Sequence, residues 1–154
     1  MTVHPVTTAD IPRIIDLLKQ VGGVHHDLRP DLFRAGAQKY DEAALEALLL
    51  DPDRPIFGAY REARLLRYCF CIRQEVRDDP VLRDRKSLYI DDLCVDEACR
   101  RQGIAKALWD YTVDYAKKEG FDAVTLNVWA GNSADAFYRQ MGMQTQKTVM
   151  ELPL

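Results

Sequence analysis

Apolar residues recur along this chain first at helical and then at alternating spacing, and the change of period lays out its elements. Residues 1–6 read as a short strand that Pro5 confines to a sheet edge or a strand end. Thr7, Thr8 and Asp10 offer capping side chains, and Pro12 fits a first helical turn. Ile11, Ile14, Ile15 and Leu18 then mark an amphipathic helix with a stop expected at Gly22-Gly23. Residues 24–40 read as loop with short helical pieces. Asp41 can cap a second helix whose Ala44, Leu45, Leu48 and Leu49 face the core, and Asp51-Pro52-Asp53 ends it.

From residue 56 the period shortens to two. Residues 56–60 and 65–74 predict a hairpin, with Leu66, Tyr68, Phe70 and Ile72 alternating against Arg67, Cys69, Cys71 and Arg73. Residues 77–86 form a polar, exposed connection. Residues 87–95 predict the central strand. Strict alternation puts Tyr89, Asp91, Leu93 and Val95 on one face and Ile90, Asp92 and Cys94 on the other, unless a bulge reverses the parity. Helical spacing returns with Ile104, Ala105, Leu108, Trp109, Thr112, Val113 and Ala116, so residues 102–119 predict a long helix with Gly120 just past its end. A buried strand over 121–128, a turn over 129–133, a short helix over 134–141 closed by Gly142, and a last strand over 145–151 complete the chain. Strands followed by helices that return to parallel strands imply an α/β sheet of mixed direction.

Composition narrows the class without changing that layout. The 154 residues suit one domain, and 47% hydrophobic with 29% charged residues describe a folded water-soluble chain. A net charge of -3 argues against nucleic acid as the main partner. Residues 1–10 lack the pattern of a signal peptide, and no apolar run approaches the roughly 20 residues that span a bilayer, so no membrane partner and a cytoplasmic location are expected. Cys69, Cys71, Cys94 and Cys99 read as buried reduced thiols, because Cys69-x-Cys71 is too close-spaced for a typical zinc knuckle. No metal site is expected.

The candidate chemistry begins where the central strand runs into the long helix. Leu93-Cys94-Val95 leads through a basic loop to Arg100-Arg101-Gln102-Gly103-Ile104-Ala105-Lys106. The first N–H groups of a helix have no intrahelical partner, and the macrodipole adds positive character there. Gly103 presents no Cβ to an approaching anion, and Arg100, Arg101 and Lys106 add cationic side chains. The pattern suits phosphate or pyrophosphate. An ordinary helix start with solvated arginines has the same local look.

Arg100-x-x-Gly103-x-Ala105 resembles the Gln/Arg-x-x-Gly-x-Gly/Ala signature of the GNAT superfamily of N-acetyltransferases. A second segment, Asn132-x-x-x-Ala136-Phe137-Tyr138-x-x-Met141-Gly142-Met143, is similar to that superfamily's Asn…Ala-x-x-Phe-Tyr…Gly-Phe, with Met143 in place of the final phenylalanine. The resemblance implies a single-domain α/β fold: a mixed, mostly antiparallel sheet, splayed at its central parallel strands and flanked by helices. It implies acetyl-CoA in that gap, the pyrophosphate on residues 100–106, and the pantetheine arm along Leu93-Cys94-Val95 with Asn132 and Ala136 nearby. It also implies an acceptor cleft walled by the first two helices and their connection.

Acetyl transfer to an amine requires a neutral nucleophile, a polarised thioester carbonyl and a proton for the leaving sulfur. By resemblance Tyr138 serves the sulfur. Asp91 or Asp92, directly or through a water, is the candidate base, and only one of them should line the cleft. Tyr89, further up the strand, could line the acceptor pocket. His25 and His26 could relay a proton near neutral pH, and Asp27 would favour a cationic acceptor. Each also has an ordinary structural reading: a core tyrosine, a turn asparagine, a hydrogen-bonded carboxylate, solvated loop histidines. The function expected is transfer of an acetyl group to a primary amine of a small molecule or a peptide. The alternatives are a non-catalytic acyl-CoA-binding module and another nucleotide-binding α/β domain, the latter disfavoured by the missing Gly-rich first turn. A homodimer through the last strands is a further expectation.

Overall fold

Alternating apolar residues on three consecutive segments give both faces of one sheet something to bury, and helices cover each face. The computed structural model describes residues 1–93 and 103–154. Its elements are β1 (Thr2–Pro5), a 3-10 turn (Thr8–Asp10), α1 (Ile11–Leu28), α2 (Glu42–Leu49), β2 (Ile56–Arg61), β3 (Arg64–Val76), β4 (Arg85–Leu93), α3 (Ile104–Lys118), β5 (Ala123–Leu126) and α4 (Ala134–Gln140). The strands pair in chain order. β1 to β4 are antiparallel neighbours, and β5 lies parallel to β4. The splayed α/β sheet implied by the sequence motifs is therefore present.

Two apolar layers sandwich the sheet. On one face Phe57, Ala59, Cys69, Cys71, Leu88 and Ile90 pack with Ile104, Leu108, Trp109 and Ala116 of α3. On the other, Ile56, Tyr60, Tyr68 and Phe70 pack with Ile11, Ile14, Leu17 and Leu18 of α1 and Leu45 of α2. Removing a side chain of this size from water is worth about 1.5–3 kcal/mol. Cys69 and Cys71 are buried free thiols with their sulfurs 3.6 Å apart, and the Cys71 thiol is pushed up by that contact and by burial. They act here as small apolar residues.

Local signals close the helices. Asp41 caps α2 by accepting from the Ala44 N–H at 2.8 Å. At the end of α3, Gly120 takes φ 70°, its N–H bonds the Lys117 carbonyl, and the Phe121 N–H bonds the Ala116 carbonyl. These are the paired bonds of a left-handed helix terminus.

The first helix departs from expectation. It runs through Gly22-Gly23 to Leu28, so His25, His26 and Asp27 lie in its last turns and not in a loop. A helix tolerates glycine at a cost of about 1 kcal/mol each relative to alanine. Gly22 has a packing role instead: a Cβ there would meet the Ala37 carbonyl oxygen at 2.5 Å, whereas one on Gly23 would meet nothing within 4 Å. The connection after α1 thus seats its backbone on Gly22. Gly23→Ala is expected to raise stability by about 0.5–1 kcal/mol and Gly22→Ala to lower it. Thermal unfolding of the two variants checks this; the same sign for both would contradict the seat.

The other departures concern the far edge. β5 is only four residues long, and Ala123, Val124, Thr125 and Leu126 are all half-buried where a buried strand over 121–128 was expected. Residues 145–151 form no strand, because they lie beside no sheet edge within backbone hydrogen-bonding reach among the described residues.

Candidate active site

The β4–β5 ladder ends at Ile90 opposite Leu126, but β4 continues to Leu93. Asp91, Asp92 and Leu93 therefore project past the last rung, at the point where the two parallel strands part. A bulge lies at the same level. Phe70 of β3 pairs with Asp92, and the next residue, Cys71, pairs with Ile90, so Asp91 is the extra residue. Such an insertion breaks the alternation of faces.

Two expectations are corrected by it. Leu93 joins Leu88 and Ile90 in the layer under α3, instead of sharing a face with Tyr89 and Asp91. The two aspartates also reach the same side. Asp91 accepts from Lys39 Nζ at 2.8 Å and from the Tyr40 hydroxyl at 2.9 Å, and Asp92 accepts from the Tyr68 hydroxyl at 3.0 Å. Tyr40 stacks on Phe70 at 5.5 Å and Phe70 meets Tyr68 edge-on at 4.8 Å, which makes one continuous aromatic wall behind both carboxylates.

Their electrostatics differ. Asp91 carries an ion pair with Lys39 and the Tyr40 hydrogen bond, and the Tyr40 hydroxyl is pushed up to about 12 by burial and by Asp91, so it stays a donor. No ion pair of Asp92 is found among the described residues. Desolvation raises its pKa from 3.8 to about 6, with Asp91 adding to the rise and Lys39 and the Tyr68 hydroxyl opposing it. A carboxyl held near 6 is a stronger base than an ordinary one, yet remains ionised at neutral pH.

Around this pair, Tyr89 sits half-buried, its hydroxyl accepting from Asn127 Nδ2 at 3.3 Å and its pKa raised by burial and then by Asp91. His25 is half-buried, stacked on Phe33 at 5.1 Å, and its pKa is lowered by burial and by Lys39, which keeps it neutral near pH 7. Phe33 in turn meets Trp129 at 5.5 Å, past the end of β5. His26 faces Asp27 at 3.7 Å, and Asp27 is largely exposed.

At the other side of the gap α3 starts on Gly103, whose φ of 68° is left-handed and where a Cβ would meet no described residue within 4 Å. Among the described residues no side chain covers that position, which fits an anionic group at the first amides of α3. Ile104 and Ala105 are buried in the core, so only their backbone can face such a group. Lys106 is exposed and pairs with Asp110 at 2.6 Å. Cys94, Val95, Arg100, Arg101 and Gln102 lie outside the described residues.

Asn132 shapes the turn after β5: its side-chain oxygen accepts from the Ala134 N–H at 2.9 Å. Ala136 and Tyr138 belong to α4. Tyr138 is buried, its ring tilted against Trp109 at 6.1 Å and set edge-on to Phe137 at 5.5 Å. The structure thus brings Asp91, Asp92 and Tyr89 together, with His25 in electrostatic reach of the same Lys39. Sequence reasoning missed Lys39, Tyr40 and Tyr68. Tyr68 was visible only as a strand residue, and no spacing links Lys39-Tyr40 to a strand some fifty positions on.

Comparison with known proteins adds the family. Residues 23–143 match the Acetyltransferase (GNAT) family. The chain belongs to this family. Among solved structures, a mutant of the BH1408 protein from Bacillus halodurans superposes with a TM-score of 0.94 at 31% identity, covering 100% of this chain and 99% of that one. An aminoglycoside acetyltransferase from an uncultured soil metagenomic sample, in complex with sisomicin, shares the fold with a TM-score of 0.71 at 20% identity, over 99% of this chain and 94% of that one. Human N-acetyltransferase 8 is 41% identical over 68 residues, which span 44% of this chain and only 30% of that protein. Acyl transfer is the activity the family's description carries. No helix among its described residues is long and apolar enough to cross a membrane.

Proposed function

We propose that this GNAT chain is an acetyl-CoA-dependent N-acetyltransferase for a primary amine of a small molecule or peptide, with Asp92 as the proton acceptor. The observation that carries the reading is the Asp92 carboxyl, raised to about 6 at the mouth of the parting between β4 and β5. Its neighbour Asp91 is committed to Lys39 and Tyr40 and serves to fix the wall of the cleft.

When bound, acetyl-CoA supplies an acyl group activated as a thioester. The amides at Gly103, Ile104, Ala105 and Lys106 would hold its pyrophosphate, with Arg100, Arg101 and Gln102 assigned to the same group by motif. Leu93, Cys94 and Val95 would line one side of the pantetheine arm, and Asn132 and Ala136 the other. An ammonium acceptor, with a pKa near 10.4 when free, must lose a proton to react. Asp92 takes that proton at its carboxylate, directly or through a water, and its raised pKa narrows the mismatch between the two groups. Tyr89, His25, His26 and Asp27 would line the acceptor side, where neutral His25 and acidic Asp27 suit a cationic substrate. The Tyr138 hydroxyl would hand its proton to the departing sulfur.

Tyr138→Phe keeps the contact with Trp109 and removes only the hydroxyl. It is expected to lower kcat about 10–100-fold while the Kd for acetyl-CoA moves less than about twofold. Parallel losses in both would make Tyr138 a packing residue. The function itself is tested by free-thiol release from acetyl-CoA with a panel of aminoglycosides, including sisomicin, together with small polyamines and lysine peptides. Turnover with at least one amine is expected. Tight binding of acetyl-CoA with no turnover on any of them would favour the non-catalytic module.

A further inference from the structure

Asp91 and Asp92 are neighbours in sequence, and a regular strand would point them to opposite faces. The bulge at Asp91 instead brings both carboxylates to one side of β4, against one aromatic wall. Two carboxylates that share a site resist being charged together, and such a pair keeps one proton to a higher pH than a lone acid does. Asp91 does add to the rise at Asp92. A base must nevertheless be ionised at neutral pH to accept a proton. The site therefore needs a charge that offsets the repulsion.

Lys39 stands where that charge is needed. Its Nζ lies 2.8 Å from Asp91 Oδ2, the same oxygen that accepts from the Tyr40 hydroxyl, and 5.6 Å from the centre of the Tyr40 ring. The Asp91 side chain is only 16% exposed, so water screens this pair less than an ordinary surface ion pair. The short connection that carries Lys39 is tied on both sides. The Ala37 carbonyl rests against Gly22, Gln38 Nε2 donates to the Tyr40 carbonyl at 2.7 Å, and the Tyr40 ring stacks on Phe70. The ammonium is thus held in place by its backbone and does not depend on a long side chain finding its partner.

The field of Lys39 reaches the whole acceptor side. It opposes the rise at Asp92, lowers His25 of α1, and opposes the rise at Tyr89 of β4. From β3 the pair is faced by the Tyr68 hydroxyl and by the buried, neutral Cys71 thiol. Arg54, after α2, is felt at Tyr40. We propose that Lys39 is a positioning residue for the proton transfer, a fixed ammonium that neutralises Asp91 so that Asp92 beside it stays charged and takes the acceptor's proton. The inference rests on Asp92 as the base. Lys39 acts through Asp91 and takes no proton itself.

The test is the pH profile of kcat/KM with one amine for wild type, Lys39→Met and Lys39→Arg, each variant divided by wild type so that the acceptor's own titration cancels. Far-UV circular dichroism checks that each is folded. Lys39→Met is expected to be about fivefold slower at pH 6 and within about twofold of wild type at pH 8.5, which is an acidic limb moved up by about one pH unit. Lys39→Arg keeps the charge and should stay within about twofold throughout. A loss of one size at every pH makes Lys39 a structural tie and overturns the proposal. So does a limb that Lys39→Met leaves in place, or one that both variants move equally. Urea titrations of the same proteins need no turnover. A carboxyl raised in the folded chain costs stability as pH rises through its folded value, so the decline that ends near pH 6 in wild type should run on to about pH 7 in Lys39→Met. An unmoved decline counts against Lys39 alone, whereas a moved decline with no turnover on any amine counts against the N-acetyltransferase reading alone.

Discussion

Asp92→Asn is expected to lower kcat/KM about 100-fold or more while making the protein more stable at neutral pH. The two effects share one cause. The folded chain holds the Asp92 carboxyl at about 6 because the anion is desolvated, so at pH 7 the fold bears a charge that Lys39 and the Tyr68 hydroxyl only partly offset. The rise from 3.8 corresponds to at most about 3 kcal/mol of strain on the ionised form. Asparagine removes the charge and can still accept the Tyr68 hydrogen bond. The sign follows from linkage: the folded pKa lies above the unfolded one, so between about 4 and 6 the folded chain binds more protons. Wild-type stability should therefore fall as pH rises through that window and then level off, while the asparagine variant lacks the decline. Urea titrations at pH 4 and pH 7.5 read it. A variant less stable than wild type at pH 7.5 would make Asp92 a structural carboxylate.

Gly103→Val is expected to weaken acetyl-CoA binding about tenfold or more with the fold retained. A left-handed φ of 68° costs an L-residue about 1–2 kcal/mol and a β-branched one somewhat more. The substituent meets no described residue within 4 Å, so no core contact among those residues is disturbed. Instead the side chain occupies the approach to the first amides of α3. Calorimetric titration with acetyl-CoA checks this, and an unchanged Kd would remove the pyrophosphate from that helix terminus.

Much of the fold was legible because single elements carry their own period. The β2–β3 hairpin and the α3 spacing at Ile104, Leu108 and Trp109 came out within two residues of their ends. What failed depended on contacts across the chain. Gly22-Gly23 read as a stop because the sequence does not reveal that the Ala37 carbonyl lies against Gly22. The parity of Asp91 and Asp92 turned on a bulge fixed by pairing with Phe70 and Cys71, which leaves no mark in β4 itself. Lys39 and Tyr40 reach Asp91 only because α1 runs on to Leu28 and its connection folds back over Gly22. Residues 145–151 have the composition of a strand but find no partner strand among the described residues.

The most direct measurement is the pH dependence of kcat/KM with an amine that turns over, for wild type and Asp92→Asn side by side. For wild type, kcat/KM should climb tenfold per pH unit up to about 6 and then flatten until the acceptor itself titrates. The variant should lack that acidic limb. A limb of the same midpoint in both proteins would contradict Asp92 as the proton acceptor and leave the cleft at β4 without its base.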